Sequence, residues 1–575
     1  MMEKRPIIYQ LLPRLFTNYN EHCVPNGTIE ENGSGKMNQI TPVVLRAIKE
    51  LGVTHVWYTG IIEHSHTTDY TRFGIEKHNP YVTKGKAGSP YAIVDYYDID
   101  PDIAVDVPNR MKEFESLVTR THREGMKVII DFVPNHVARQ YHSDVKPVGI
   151  EDFGVGDDPE FFFKATNDFY YITRQKFSPQ FDLGSGDDAY VEFPAKASGN
   201  DCFTAFPGVN DWYETVKLNY GIDYGNMSCS FDPVPKVWLK MLNILRFWAS
   251  KGVDGFRCDM VFMVPLEFWQ WAIPQVKSLY PKIIFIAEIY DVGKYRDFIY
   301  KGHFDYLYDK VNLYDTLRGI QCSGYSAAQL TNCWQTVEGI QPRMLNFLEN
   351  HDEQRFASDY YAANAELVLP SLVVSSMMST GPVMIYAGQE LGERAMDAEG
   401  FSGCDGRTTI FDYWSVESVR RWLNNGHPGE ERLTEKENKL RRTYATVLHL
   451  CNNVKALREG GFFDLMYVNY HNPSVNPHSH YAFLRYSRAE IVFIAVNFSY
   501  DKSFMKINIP RHAFEYIDMP EGRLQGEELL SGKREIKDFS SSVPFDTEVA
   551  PFGAVVWRLA TPVKKKSNNL SQKSK

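Results

Sequence analysis

The chain has 575 residues, which is too long for one compact core and predicts two or three domains. Hydrophobic residues make up 43% and charged residues 23%, as in an ordinary soluble globular protein. The net charge of −10 gives no reason to expect nucleic acid or a membrane surface as a partner.

Eight cysteines without a C-x-x-C pair match neither a zinc pattern nor a dense disulfide framework, and they suit a reducing compartment. The segment from Met1 to Tyr9 has no apolar run of the kind that a secretory signal needs, although a trimmed signal stays open. We therefore expect a cytoplasmic protein. The Lys-rich residues 563–575 are expected to form a disordered basic tail.

From residue 7 to about 390, short apolar runs alternate with segments of helical periodicity. Most of the runs are continuously apolar, which is typical of a parallel sheet covered by helices. Eight such strands alternating with helices predict a (β/α)8 barrel. The predicted strands are Ile7–Leu12, Val53–Tyr58, Lys127–Phe132, Gly255–Cys258, Ile283–Ala287, Phe304–Tyr308, Met344–Leu348 and Pro382–Tyr386.

Two connections are too long for simple crossovers, and both follow strand ends on the face where barrel active sites form. The first, between Tyr58 and Tyr91, is polar and contains His64 and His66. With no third ligand beside them, these histidines are read as solvated loop residues. The second, residues 137–232, is rich in Gly, Asp and aromatic residues and predicts a loop-rich inserted domain.

The uncharged stretch from Leu367 to Gln389 is long enough to cross a bilayer, but Pro and Gly divide it into a helix, a turn and a strand. A buried barrel element is the better interpretation. A helix is predicted at Lys439–Arg458, and the β-rich segments after residue 460 predict an antiparallel β-sandwich. The predicted domains are a barrel at 1–136 and 233–458, an inserted domain at 137–232 and a C-terminal domain at 459–562.

Four predicted strand ends bring carboxylates or histidines to one rim of the barrel. Retaining cleavage of a glycosidic bond needs a carboxylate nucleophile and a carboxylic acid about 5–5.5 Å apart, and a third carboxylate can raise the pKa of the acid. Arg257 precedes Asp259 by two residues on one strand, so both side chains point to the same side. Each segment alone has an ordinary structural reading. The four segments are Asp131 to His136, Arg257 to Asp259, Ile286 to Glu288, and Asn350 to Asp352.

These segments resemble the signature regions of the α-amylase family, glycoside hydrolase family 13, over residues 7 to 390. The resemblance implies that Asp259 is the nucleophile, Glu288 the general acid/base and Asp352 the transition-state stabiliser. It implies no required cofactor. A calcium ion stays open, with Asn135 as its candidate ligand, and so does a purely structural role for Asn135. The implied substrate-binding residues are Tyr91, Asp95, His136, Arg257, His351 and Arg355.

The sequence also departs from familiar members of the family. Many α-amylases have Lys-His where this chain has Phe262 and Met263, and exo-acting α-glucosidases have Asp where it has Ala92, which favours an open cleft. The leading hypothesis is hydrolysis of α-1,4-glucosidic bonds in starch-, glycogen- or maltodextrin-like glucans. Glycosyl transfer from the same site is the alternative, and an inactive binding scaffold is the remote one.

Overall fold

The computed structural model describes residues 4–186, 189–488, 490–519 and 521–560. The expected disordered tail, residues 563–575, lies outside the described residues.

Eight parallel strands close into a barrel in which each strand pairs with its neighbours in chain order, as the sequence predicts. Arg257 on the fourth strand is in register with Asp131 on the third and with Ile286 on the fifth. This register brings the functional strand ends together at one rim. The strands are Ile7–Leu11, His55–Tyr58, Lys127–Phe132, Gly255–Cys258, Ile284–Ala287, Tyr306–Tyr308, Met344–Phe347 and Val383–Tyr386.

Amphipathic helices cover the outside of the barrel. In Lys236–Ser250, the buried side chains include Trp238, Met241, Leu245 and Trp248, which recur at intervals of three or four residues. The α-helices before the C-terminal sheet are Pro13–Phe16, Ile29–Asn32, Pro42–Lys49, Arg110–Arg123, Lys236–Ser250, Leu266–Leu279, Tyr295–Tyr300, Asp315–Cys322, Gln329–Thr336, Leu369–Met377, Glu417–Leu423, Glu435–Asn453 and Lys455–Glu459.

The connection after the second barrel strand contains an antiparallel hairpin, Ile62–His64 against Ile93–Ile99. The prediction that His64 and His66 are solvated is wrong, since both are buried. The Nδ1 atom of His64 lies 2.9 Å from Asp100 Oδ2, so the hairpin folds the polar loop inward around this pair.

Residues 137–232 form short antiparallel ladders around a small apolar core that includes Ile172, Phe177 and Tyr213. The ladder nearest the barrel pairs His136–Ala138 with Thr215–Lys217, so part of this region lies directly beside the end of the third barrel strand. The remaining strands of the region are Tyr171–Ile172, Ala195–Lys196, Ile222–Asp223 and Ser228–Cys229.

The C-terminal region contains a six-stranded antiparallel sheet and a separate two-stranded sheet. The rings of Phe493 and Phe545, one from each sheet, stack with centroids 4.0 Å apart. A short helix, Arg511–Ile517, lies between the strands. The strands are Gly461–Asp464, His480–Tyr486, Glu490–Asn497, Ser503–Ile507, Gly522–Glu528, Arg534–Phe539, Phe545–Val549 and Gly553–Ala560.

The predicted helix at Lys439–Arg458 is two helices. The first, Glu435–Asn453, begins one turn earlier because Thr434 and Glu437 form a capping box. The second is Lys455–Glu459. The uncharged stretch from Leu367 folds into a barrel helix and the eighth strand, and none of the helices in the described ranges is long and apolar enough to cross a membrane.

Candidate active site

Arg257 is the centre of the site. Its side chain is buried, and its two terminal nitrogens contact different carboxylates: Nη1 donates to Asp259 Oδ1 at 2.7 Å, and Nη2 lies 2.9 Å from Glu288 Oε1. Because the guanidinium group is planar and rigid, it fixes the two carboxylates side by side. The fourth and fifth barrel strands supply these three residues.

Asp131 and Asp352 complete the acidic set. Asp131 Oδ1 lies 3.4 Å from Arg257 Nη1, and its Oδ2 accepts a hydrogen bond from Trp57 Nε1 at 2.9 Å. Asp352 Oδ2 is 3.8 Å from Arg257 Nη2, and the Asp352 side chain is 38% exposed. Asp352 is therefore the carboxylate of the set that is most open to the cleft.

The backbone after Asp259 turns back onto Glu288. Met260 has φ +44°, in the left-handed region that side chains other than glycine rarely adopt. In this conformation its N–H donates to Glu288 Oε2 at 2.8 Å. The hydroxyl of Tyr290 donates to Glu288 Oε1 at 2.6 Å, so both oxygens of Glu288 are held by donors.

The electrostatics separate the two central acids. Burial raises the pKa of Asp259 to about 6, and the Arg257 charge opposes the rise. Burial raises the pKa of Glu288 to about 7, with the Asp259 charge adding to it against Arg257. Partial burial and then the Glu288 charge raise the pKa of Asp352 as well. The hydrogen bond from Arg257 favours the ionised form of Asp259, and the charge of Asp259 favours the protonated form of Glu288. Asp259 therefore ionises before Glu288 as the pH rises, which is the order that nucleophilic attack with acid assistance requires.

Neutral histidines flank the carboxylates. Gln10 Nε2 donates to His351 Nδ1 at 2.7 Å, so the proton of His351 is on Nε2, which donates to the Tyr91 hydroxyl at 2.5 Å and lies 3.1 Å from Asp352 Oδ2. Burial and then the Arg257 charge hold the pKa of His351 well below its usual range. Tyr91 stacks on His351, with ring centroids 5.2 Å apart. Burial lowers the pKa of His136 to about 3.

The carboxylates face a cleft of about 290 Å³. Trp212, Ile410 and Phe411 are among its apolar lining residues, and Lys84 and Glu214, which also line it, form an ion pair at 3.1 Å. A larger groove, of about 790 Å³, lies against the C-terminal sheet and contains none of these carboxylates. The residues that line the smaller cleft are Lys84, Ser89, Tyr91, His136, Trp212, Glu214, Thr215, Asp259, Met260, Glu288, Tyr290, Asp352, Ile410 and Phe411.

Two residues expected to bind substrate lie elsewhere. Asp95 is fully buried, and its oxygens accept hydrogen bonds from Ser143 Oγ and from the backbone of Tyr97 and Asp144. Arg355 is buried against Glu349, with a nitrogen–oxygen distance of 3.0 Å. Neither side chain lines the cleft, so both stabilise loops behind it.

The structure favours the structural role of Asn135 over calcium binding. The buried ammonium group of Lys217 donates to Asn135 Oδ1 and to the carbonyl oxygen of Met263 at 3.1 Å, and it lies 2.7 Å from Asp201 Oδ1. An amide oxygen, a carbonyl oxygen and a carboxylate therefore already surround a positive charge. Lys217 ties the inserted region to the barrel at the position where Asn135 would need a metal ion.

Several residues that line the cleft are not predicted from the sequence. Tyr290 follows Glu288 by two residues, and the same-side rule that linked Arg257 to Asp259 would have found it. Trp212, Lys84 and Glu214 carry no comparable signal, because the folding of two long connections brings them to the cleft.

Comparison with known proteins finds a family model and relatives that match this chain. The family model described as "Alpha amylase, catalytic domain" matches residues 10–439. Neopullulanase 2 of Thermoactinomyces vulgaris is 24% identical over 405 residues, which cover 68% of this chain and 57% of that relative. Alpha-amylase 2 of Dictyoglomus thermophilum is 22% identical over 398 residues, which cover 68% of this chain and 56% of that relative. The chain thus spans a little over half the length of these curated relatives.

Solved structures share the fold across nearly the whole chain. An alpha-amylase from Geobacillus thermoleovorans superposes with a TM-score of 0.60 at 19% identity, covering 96% of this chain and 98% of that one. Cyclic alpha-maltosyl-(1→6)-maltose hydrolase from Arthrobacter globiformis gives 0.61 at 17% identity, covering 97% of this chain and 98% of that one. At these identities the likeness concerns the fold.

Proposed function

The chain belongs to the α-amylase family, and from that premise we propose that it cleaves α-1,4-glucosidic bonds in starch-, glycogen- or maltodextrin-like glucans with retention of configuration. The observation that carries the proposal is the guanidinium group of Arg257, which contacts Asp259 and Glu288 through separate nitrogens at 2.7 and 2.9 Å. A shared cation between a nucleophile and an acid suits a double displacement.

In the first half-reaction, an oxygen of Asp259 attacks the anomeric carbon while the bond to the leaving oxygen breaks. Glu288 transfers its proton to that oxygen, and the leaving chain departs as an alcohol. Asp352, next to Arg257 and open to the cleft, stabilises the positive charge that develops on the sugar ring. The product of this step is a glycosyl ester on Asp259.

In the second half-reaction, Glu288 is ionised and accepts a proton from water. The resulting hydroxide attacks the anomeric carbon, and the Asp259 carboxylate leaves. Tyr91 and the neutral His136 and His351 line or adjoin the cleft and supply hydrogen bonds and an aromatic face to the sugar. Two inversions give net retention.

Transfer to a sugar hydroxyl is the second candidate. It shares the first half-reaction and differs only in the acceptor that attacks the glycosyl ester. The apolar lining residues Trp212, Ile410 and Phe411 favour it, because an acceptor sugar can pack against such side chains in place of water.

Two experiments test the proposal. Asp259→Asn should abolish turnover of maltoheptaose while the circular dichroism spectrum stays that of the wild type. Undiminished turnover in a folded variant would refute the nucleophile assignment, and an inactive wild-type protein would favour a binding scaffold. With the active enzyme, products longer than maltoheptaose indicate transfer and only shorter ones indicate hydrolysis. The products released from pullulan then separate 1,4 from 1,6 preference, since cleavage of its 1,6 bonds gives maltotriose and cleavage of its 1,4 bonds gives products that keep a 1,6 bond.

A further inference from the structure

A second group of carboxylates lies away from the cleft, in the hairpin after the second barrel strand. Glu63 pairs with Asp95 across the hairpin, and the register is irregular on both sides of Glu63. The residues between Asp95 and Ile99 form a bulge in the second strand of the hairpin, and this bulge places Asp98 near Glu63 and Asp95. One carboxylate oxygen from each of Glu63, Asp95 and Asp98 lies within 4.8 Å of the other two.

The three carboxylates are buried with too little positive charge. Glu63 is 1% exposed, Asp95 is 0% exposed and Asp98 is 3% exposed. Arg110 pairs with Asp98, and it is the one cation that has an ion pair with this group in the described part of the chain. If all three are ionised, two negative charges stay uncompensated, and burial without compensation costs several kcal/mol per ion.

One oxygen of the group has no partner. Asp95 accepts from Ser143 Oγ at 2.7 Å and from three backbone N–H groups, and Asp98 Oδ1 accepts from Ile99 N at 2.7 Å. Glu63 Oε2, in contrast, is buried and accepts no hydrogen bond within the described residues. Burial, and after it the charges of Asp98 and Asp95, hold the pKa of Glu63 well above its usual range. A buried carboxylate with an unpartnered oxygen, grouped with two other carboxylates, is the arrangement that a positive ligand completes.

The surroundings of Asn135 differ from those of the Glu63 group in their positive charge. There the chain supplies its own cation, since the ammonium group of Lys217 occupies the centre of three oxygen atoms. The Glu63 group has the oxygens, and no lysine forms an ion pair with them in the described ranges.

We propose that Glu63, Asp95 and Asp98 bind one calcium ion. Hard carboxylate oxygens are the ligands that calcium prefers, and its flexible coordination accepts three carboxylates together with water. Asp95 also accepts hydrogen bonds from Ser143 and Asp144, at the start of the inserted region. The ion therefore holds the hairpin strand that follows Tyr91 against the start of the inserted region. It does not contact the reacting atoms.

The competing occupant is a proton. A proton shared between Glu63 and a neighbouring carboxylate would remove one of the two excess charges and give Glu63 Oε2 a partner. The two occupants predict opposite results for Glu63→Gln, because a glutamine amide imitates a protonated glutamate but removes the charge that a calcium site needs.

The test uses the full chain after treatment with a chelator and its removal. Calcium titration calorimetry should show one site per chain, and saturating calcium should raise the unfolding midpoint by about 2–4 °C. Glu63→Gln should weaken calcium binding at least ~10-fold and lose the midpoint shift. Glu50→Gln, which removes a charge from an exposed position, should behave as the wild type.

Three results would overturn the proposal. Wild-type protein that takes up no calcium refutes it outright. Equal binding by the wild type and Glu63→Gln assigns the ion to another site, and a Glu63→Gln variant that is more stable without any calcium effect assigns a shared proton. Glu63→Met, of similar length and without side-chain oxygens, serves if the glutamine variant fails to fold. Because none of these readouts is turnover, the result is independent of the proposed glucan activity.

Discussion

Replacing Tyr290 by phenylalanine removes one donor to Glu288, the proposed general acid, and leaves the other donors in place. The Tyr290 hydroxyl donates to Glu288 Oε1 at 2.6 Å, and this bond favours the ionised form of Glu288. Without it, the pKa of Glu288 rises from its value of about 7. Because the acid form is needed for the first step, the alkaline limb of activity moves to higher pH.

The magnitude follows from the geometry. A hydrogen bond to a charged group contributes about 1.5–3 kcal/mol, which corresponds to about 1–2 pKa units. Met260 N at 2.8 Å and Arg257 Nη2 at 2.9 Å still contact Glu288 and compensate part of the loss. We therefore expect a shift of about 1 unit. The acid limb depends on Asp259, which accepts no hydrogen bond from Tyr290. This limb should therefore stay near the Asp259 pKa of about 6.

The assay is the pH dependence of kcat/KM on a soluble maltooligosaccharide, which reports groups of the free enzyme. Tyr300→Phe, at a 63% exposed position, is the control and should reproduce the wild-type profile. An alkaline limb of Tyr290→Phe that stays in place, or that moves to lower pH, would refute the assignment of that limb to Glu288.

Three further variants test other parts of the site. Lys217→Met should lower the free energy of unfolding by about 1–3 kcal/mol because Asn135 Oδ1 loses its donor. The control Lys502→Met, which removes an exposed ion pair, should change it by less than about 1 kcal/mol. Equal losses for the two variants in urea denaturation would contradict a stabilising contact between Lys217 and Asn135. Arg257→Lys should lower kcat about 100-fold or more, since one ammonium cannot make both carboxylate contacts, and steady-state rates near the wild type would contradict this. Trp212→Ala should raise KM about 10-fold with little change in kcat, because it removes a ring from the cleft wall; an unchanged KM would exclude Trp212 from sugar binding.

The barrel was predictable because its signal is local. Continuous apolar runs at eight positions predict buried parallel strands, and the structure has all eight, with ends that differ by two residues at most. The relation between Arg257 and Asp259 was predictable for the same reason, since residues two apart on a strand share a side.

Residues in the long connections were not predictable from spacing. Asp95 stands four residues after Tyr91, and on a regular strand the two side chains would share a face. The irregular hairpin register separates them, and Asp95 binds Ser143 and Asp144 instead of sugar. Lys217 reaches Asn135 only through the fold of residues 137–232, and a single sequence gives no sign of such a contact.

The identity of the nucleophile is the central claim, and trapping the glycosyl ester tests it most directly. In Glu288→Gln, α-maltosyl fluoride should still react with Asp259, because fluoride leaves without acid assistance, while hydrolysis of the ester is slow without the base. Mass spectrometry of the digested protein should then find one added maltosyl group on the peptide that contains Asp259. A maltosyl group on another residue, or release of β-maltose without any labelled peptide, would contradict the account.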